Sequence, residues 1–301
     1  MDKTAIVTGA NGFIGSAVVR NLVNHGYEVH ALVHKNRENI EGMAHVTIHE
    51  ANLEKADTFS LPSCEYFFHF AWNGLSGEKR FDEHIQQSNL VMTQCAMDLA
   101  IKSGCKRFIG CGSVIEDEAL FSIDDPTTYP ARGQYYGFIK MLCRYYCKLK
   151  SFEKIEYVCG KLTNAYGPGE DSPRLINTVI KNMIYGHECC LSSCTQQYDF
   201  IYIEDVANAF RLIAENGANQ EVYTVSYGEP RPLREYLLEI ADYFEKKELL
   251  KFGEIHNYIS LPEESFKIDK LKKIGFKPNY CYKLGIKKTI DWYMDLNRKD
   301  L

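Results

Sequence analysis

The feature that most restricts this chain is a glycine-spaced turn at its start. A short apolar run, Thr4–Thr8, leads into Thr8-Gly9-Ala10-Asn11-Gly12-Phe13-Ile14-Gly15, and a stretch of helical period, Ser16–Asn24, follows. Glycine at every third position between a strand and a helix has a physical use. Gly9 permits a tight turn, Gly12 lets backbone N–H groups approach a pyrophosphate at the helix N-terminus, and Gly15 allows the helix to pack close to the strand. In this position the loop predicts dinucleotide binding, with Phe13 and Ile14 beside the ligand, against the plainer reading of a ligand-free turn.

The strand–helix alternation continues. Tyr27–Val33, Val46–His49, Tyr66–Ala71, Arg107–Cys111 and Ile155–Leu162 read as strands, with helices at Ser88–Ser103 and Tyr136–Lys150. This predicts an α/β fold with a doubly wound parallel sheet of Rossmann type. Beyond Asn164 the alternation breaks at Tyr166-Gly167-Pro168-Gly169, before a helix at Leu175–Tyr185. The expected division is a dinucleotide-binding domain at 1–163, rejoined at about 199–226, and a smaller C-terminal substrate-binding part at 164–198 and 227–301.

A net charge of -5 supplies no basic field for a nucleic acid. No run of 18 apolar residues and no secretory leader are seen, so no membrane partner and a cytoplasmic location are expected. The 11 cysteines then read as reduced core thiols, and without a Cys-x-x-Cys knuckle no metal site is expected.

The second strand ends Val33-His34-Lys35-Asn36-Arg37, with no carboxylate to hold a free ribose hydroxyl. Lys35 and Arg37, with His34, suit a 2′-phosphate, which favours NADP and leaves NAD possible; a solvated basic turn is the plainer alternative. Asn52 and Leu53, after the third strand, occupy the expected adenine position. Further along, Tyr136 and Lys140 lie four apart, one helical turn from each other. A nearby cation favours the phenolate and brings a phenol towards acid–base use. Ser113 just upstream can donate to a substrate carbonyl, and Asn89 can brace the lysine through backbone or water.

Taken in order, these residues resemble the extended short-chain dehydrogenase family, which includes nucleotide-sugar epimerases, dehydratases and ketoreductases. The likeness rests on the glycine loop, His69-Phe70-Ala71-Trp72, Asn89, Ser113, Tyr136 with Lys140, Asn164-Ala165-Tyr166-Gly167-Pro168-Gly169, and Asp199-Phe200-Ile201-Tyr202-Ile203-Glu204-Asp205-Val206-Ala207. A late stretch, Asp269–Pro278, resembles the helix and turn with which many such proteins close. The resemblance implies that Tyr136 is the acid–base, that Lys140 binds the nicotinamide ribose, and that Ser113 holds the substrate oxygen. It also implies that Phe70, Ala71, Trp72, Asn89 and Leu162 flank the cofactor, while Asn164, Leu175 and Tyr198 meet a nucleotide-sugar substrate.

Within that family, dehydratases carry Asp-Glu directly after the hydroxyl residue, whereas here Val114-Ile115 intervene before Glu116, Asp117 and Glu118. A Cys–His epimerising pair is replaced by Ile115 and Gly169. A 4-ketoreductase or a 4-epimerase retaining NAD is left, with a dinucleotide-binding redox sensor as the non-enzyme alternative. Lys161 and Tyr198 stand where many relatives have arginines, the second of which usually grips phosphate. Leu90, Met97, Met141 and Tyr145 suggest a second apolar face on the two long helices and hence a homodimer.

Overall fold

The computed structural model describes residues 3–58, 60–124, 134–255 and 261–299. Its first half runs β1 (Lys3–Thr8), α1 (Phe13–Asn24), β2 (Tyr27–Val33), β3 (Val46–Glu50), β4 (Tyr66–His69), α2 (Glu83–Lys102), β5 (Arg107–Ser113), α3 (Ile115–Asp124), α4 (Gln134–Lys150) and β6 (Glu156–Leu162). There follow β7 (Asn164–Tyr166), α5 (Leu175–Tyr185), β8 (Cys189–Leu191), β9 (Gln197–Tyr198), β10 (Phe200–Tyr202), α6 (Ile203–Asn216) and β11 (Val222–Val225). The chain ends with β12 (Arg231–Pro232), α7 (Leu233–Phe244), β13 (Leu250–Phe252), α8 (Asp269–Lys273) and α9 (Tyr282–Lys299).

Seven parallel strands form the central sheet in the order β11-β6-β5-β4-β1-β2-β3. The order reverses between β1 and β4, and at such a switch point the carboxyl ends of the strands open a crevice. Each face of the sheet is covered. Val18, Val19 and Leu22 of α1 and Phe210 and Ile213 of α6 bury one side together with Ala5, Val7 and Val29. On the other, Met92, Ala96 and Met97 of α2 join Phe67, Phe108 and Tyr157. Phe67 and Phe108 stack with centroids 5.3 Å apart. Each such fully buried ring contributes roughly 1.5–3 kcal/mol by leaving water. Three smaller pairings, β10 with β7, β12 with β9 and β13 with β8, lie beyond the main sheet.

The element ends differ from the sequence expectation where polar bonds outweigh apolar pattern. β4 stops at His69, and Ala71 instead donates its N–H to Thr8 Oγ1 at 3.3 Å. α2 begins at Glu83, five residues early, because Asp82 caps it by accepting from the Ile85 N–H at 3.0 Å. α3 was not expected at all, and α9 extends the chain well beyond the Asp269–Pro278 turn. Met97 is a correction: its side chain is fully enclosed in the core under α2 and offers nothing to a partner. Among the described residues, no helix is long and apolar enough to cross a membrane.

The strand-to-helix turn is held by close backbone approach. Gly12 N–H donates to Gly9 O at 2.9 Å, and Gly9 adopts a φ of +64°. A Cβ on Gly9 would stand 2.6 Å from Ala71 N, and one on Gly15 would overlap Gly9 O and lie 2.8 Å from Gly9 C. Gly15→Ala should therefore lower stability by roughly 1–3 kcal/mol or more, measured as a drop in the urea midpoint, because backbone rather than a movable side chain must yield.

Candidate active site

At the carboxyl ends of the sheet strands a cavity of about 330 Å³ connects the glycine loop with β5, α4 and the start of α5. Gly9, Gly12, Phe13, Ile14 and Gly15 form one end. The first turn of α1 carries no side-chain cap at Gly12 and no acidic residue, so its N–H groups are available to an anion. Phe70, Trp72 and Leu162 line the same space. An uncapped helix start beside glycines that tolerate no Cβ fits a dinucleotide pyrophosphate.

The chemical groups meet in the middle. α4 presents Tyr136 and Lys140 inward, while Tyr135 is 42% exposed. Lys140 is buried and donates to Cys111 O at 3.0 Å, with its Nζ 3.6 Å from the centre of the Trp72 ring. Burial pulls the Lys140 ammonium down, yet Tyr136, Cys111, Cys143 and Glu116 together hold it above the ordinary lysine range. A cation is thus kept one turn from the phenol. Trp72 packs edge-on against Tyr136, centroids 5.7 Å apart, and donates its indole N–H to Gln86 Oε1 at 3.1 Å. Ser113 closes β5; its Oγ accepts from Ile115 N at 3.3 Å, leaving the hydroxyl proton for another oxygen.

His69, at the end of β4, stands behind this group. Its two ring nitrogens meet Thr8 Oγ1 at 2.8 Å and Thr93 Oγ1 at 3.1 Å, tying β1, β4 and α2 together. Burial, with Lys140 adding to it, pushes the imidazole down to about 3, so it is neutral at physiological pH.

The other expected positions divide between the cavity and its surroundings. Asn89 is fully enclosed, and its side chain accepts from Asn73 N at 2.7 Å and donates to Asn73 O at 2.9 Å. Its effect on the site passes through the loop carrying Trp72. Leu53 is buried and Asn52 exposed, with Asn52 accepting from Glu54 N. His34, Lys35 and Arg37 are exposed past the end of β2, and Arg37 pairs with Glu41 at 3.2 Å. Asn39 links that turn to the glycine loop through two 2.8 Å bonds to Asn11. At the far end Asn164 and Tyr198 line the cavity together with Arg174, while the next residue, Leu175, is partly buried against the core.

Arg174, Arg80 and Glu118 are cavity residues that the sequence reading did not single out. Arg174 is recoverable as the residue before a helix start, where it meets Glu170 at 3.6 Å. Glu118 follows from a helix-opening acidic run, Glu116-Asp117-Glu118, had α3 been recognised. Arg80, in a turn-rich segment, has no periodic signal; its guanidinium lies 4.6 Å from the centre of the Tyr136 ring. Wider depressions of about 780 and 760 Å³ occur elsewhere, and neither contains a residue of the glycine loop or the Ser113–Tyr136–Lys140 group.

Known proteins give the same picture. CDP-abequose synthase of Salmonella typhimurium is 25% identical over 312 residues, covering 96% of this chain and 98% of that protein. dTDP-glucose 4,6-dehydratase 1 of Escherichia coli is 25% identical over 332 residues, covering 96% and 92%. In fold, the chain is similar to the UDP-N-acetylglucosamine 4-epimerase of Methanobrevibacter ruminantium, solved with UDP-N-acetylmuramic acid, with a TM-score of 0.81 at 23% identity and coverage of 98% and 99%. These relatives are enzymes. With its switch-point cavity, its glycine loop and a family model matching residues 5–226, the chain belongs to the NAD dependent epimerase/dehydratase family.

Proposed function

We propose that the protein is an NAD(P)-dependent oxidoreductase of a nucleotide-linked sugar, with 4-keto reduction as its net reaction and Tyr136 as acid–base. The observation that carries this reading is the shared cavity, in which the glycine loop, Ser113, Tyr136 and Lys140 meet two arginines, Arg80 over the Tyr136 ring and Arg174 before α5. Bound NAD(P) supplies the hydride. Ser113 donates its hydroxyl to the substrate oxygen and steadies the charge that develops there. Tyr136 gives its phenolic proton to that oxygen, and the Lys140 ammonium stabilises the phenolate left behind.

A diphosphate fits the far end despite the two missing arginines of the resemblance. Lys161 is occupied by Asp117 at 2.6 Å, and Tyr198 is an uncharged phenol pushed up to about 12, chiefly by burial. Arg80 and Arg174 supply cations from other elements, and guanidinium groups suit phosphate oxygens. Lys35 is exposed past β2 with no ion pair among the described residues, which supports NADPH. One observation favours the second reading, a 4-epimerase that retains NAD: Arg37 is already paired with Glu41. We also propose a homodimer through α2 and α4, where Val91 is 50% exposed and Tyr145 51%.

Turnover of a 4-keto sugar nucleotide, followed by nicotinamide absorbance, tests the reaction. Tyr136→Phe should reduce kcat by ~10²–10⁴-fold with cofactor affinity nearly intact, and Tyr135→Phe should be almost silent. A fully active Tyr136→Phe enzyme would sink the mechanism. For the cofactor, the Lys35→Ala, Arg37→Ala double variant should lose a preference for NADPH over NADH; an intact protein that binds NADH more tightly points to the epimerase. For the assembly, light scattering at micromolar concentration should give twice the chain mass, and a monomeric mass counts against the dimer.

A further inference from the structure

Between β4 and α2 the chain makes a loop, residues 72–80, that closes on a single side chain. Gln86 of α2 is fully buried; it accepts the Trp72 indole N–H at 3.1 Å and donates to Gly74 O at 2.9 Å and Lys79 O at 3.2 Å. Gly74 permits the closure, with a φ of +68° and a backbone so near that an added Cβ would stand 2.5 Å from Lys79 O. Asn89 holds Asn73, the residue after Trp72, through its N–H and its carbonyl. The indole is thus tied at its N–H, followed by a clamped residue and packed edge-on against Tyr136. Little freedom is left for the ring to rotate away.

What this fixed ring meets is the buried ammonium. Lys140 Nζ lies 3.6 Å from the centre of the Trp72 ring, 5.8 Å from that of Tyr136, and donates to Cys111 O at 3.0 Å. Resting on the oxidoreductase reading above, we propose that Trp72 is a positioning residue that acts through Lys140: its ring face holds the ammonium one helical turn from Tyr136 and keeps it charged while the phenol gives up its proton. An aromatic face suits this task better than a carboxylate. It attracts a desolvated cation through the ring quadrupole and adds no formal negative charge. A carboxylate in the same place would neutralise Lys140 and compete with the phenolate for it. The ammonium has three N–H donors. With one on Cys111 O and one towards the Trp72 face, the third is left for the nicotinamide ribose or the phenolate. Trp72 also lines the cavity, so the competing role is that of a plain wall beside the cofactor.

The test has one arm without substrate and one with it. In protein carrying 13C-labelled lysine, the ε-methylene proton signal that disappears in Lys140→Met should lie upfield of the other lysines, because a ring shields a group over its face. Trp72→Leu should return that signal to the ordinary lysine position, and Trp72→Phe, which keeps a smaller ring, should retain part of the shift. The second arm follows reduction of dTDP-4-keto-6-deoxyglucose by NADPH. Trp72→Leu should lower kcat by ~10-fold or more, with KM for the sugar nucleotide and Kd for NADPH within about twofold of wild type, and Trp72→Phe should fall between. In a Lys140→Met background the same Trp72→Leu change should cost less than about twofold, since the group through which Trp72 acts is gone. An unshifted lysine signal in wild type, or an equal cost of Trp72→Leu in both backgrounds, overturns the proposal alone. A wild type with the shifted signal but no ketone reduction overturns the oxidoreductase reading and, with it, the role given to Trp72.

Discussion

One buried ammonium organises the site. Lys140 leaves water almost completely, and an unpaired buried cation is costly enough that it would ordinarily give up its proton. Among the described residues no carboxylate pairs with it directly; its support comes from the Cys111 carbonyl, the face of Trp72 and the electrostatic pull of surrounding groups. Each of those partners has to be held in turn. Cys111 sits within β5, paired with Gly160 of β6 one residue past the last pair with β4, so its carbonyl is placed by the edge of the ladder. Trp72 is fixed by Gln86 and by the Asn89 clamp on Asn73. The neutral His69 is the complement: a second positive charge beside Lys140 is disfavoured, and its two threonine partners satisfy the uncharged ring.

This explains which parts of the site could be read from sequence. The Tyr136–Lys140 spacing is a property of one helix, and the glycine loop is a property of one turn, so both survive as local patterns. Ser113 is legible because a strand end has a fixed place relative to the crevice. Asn89 was placed on its helix by the sequence, but its side-chain bond to Asn73 was not, since Asn73 lies on a loop whose course no periodicity dictates. Met97 was misassigned for a related reason: α2 buries Met92, Ala96 and Met97 together, and the apolar excess along the helix does not reveal which side faces the sheet.

The main sheet was largely legible because buried parallel strands are near-continuous apolar runs, and the observed order follows from successive crossovers. The shorter pairings were not. β9 and β12 have two residues each, too few to generate an alternating pattern, yet β12 leads directly into α7. Their placement depends on tertiary contacts such as the Asp199 carboxylate, which accepts from Gly228 N at 2.6 Å and Glu229 N at 3.2 Å.

The distribution of charge around α3 links these points to the chemistry. An acidic run at a helix start is ordinarily explained by the helix dipole, and that explanation would apply equally to Glu116, Asp117 and Glu118. Tertiary cations break the equivalence. Arg144 reaches across from α4 to Glu116, and Lys161 reaches from β6 to Asp117, so each of these cations serves a structural ion pair. With Lys161 turned to α3, the cations that line the cavity among the described residues are Lys140, Arg80 and Arg174. The ion pair that occupies Lys161 fixes Asp117 in α3, while the next residue, Glu118, faces the cavity.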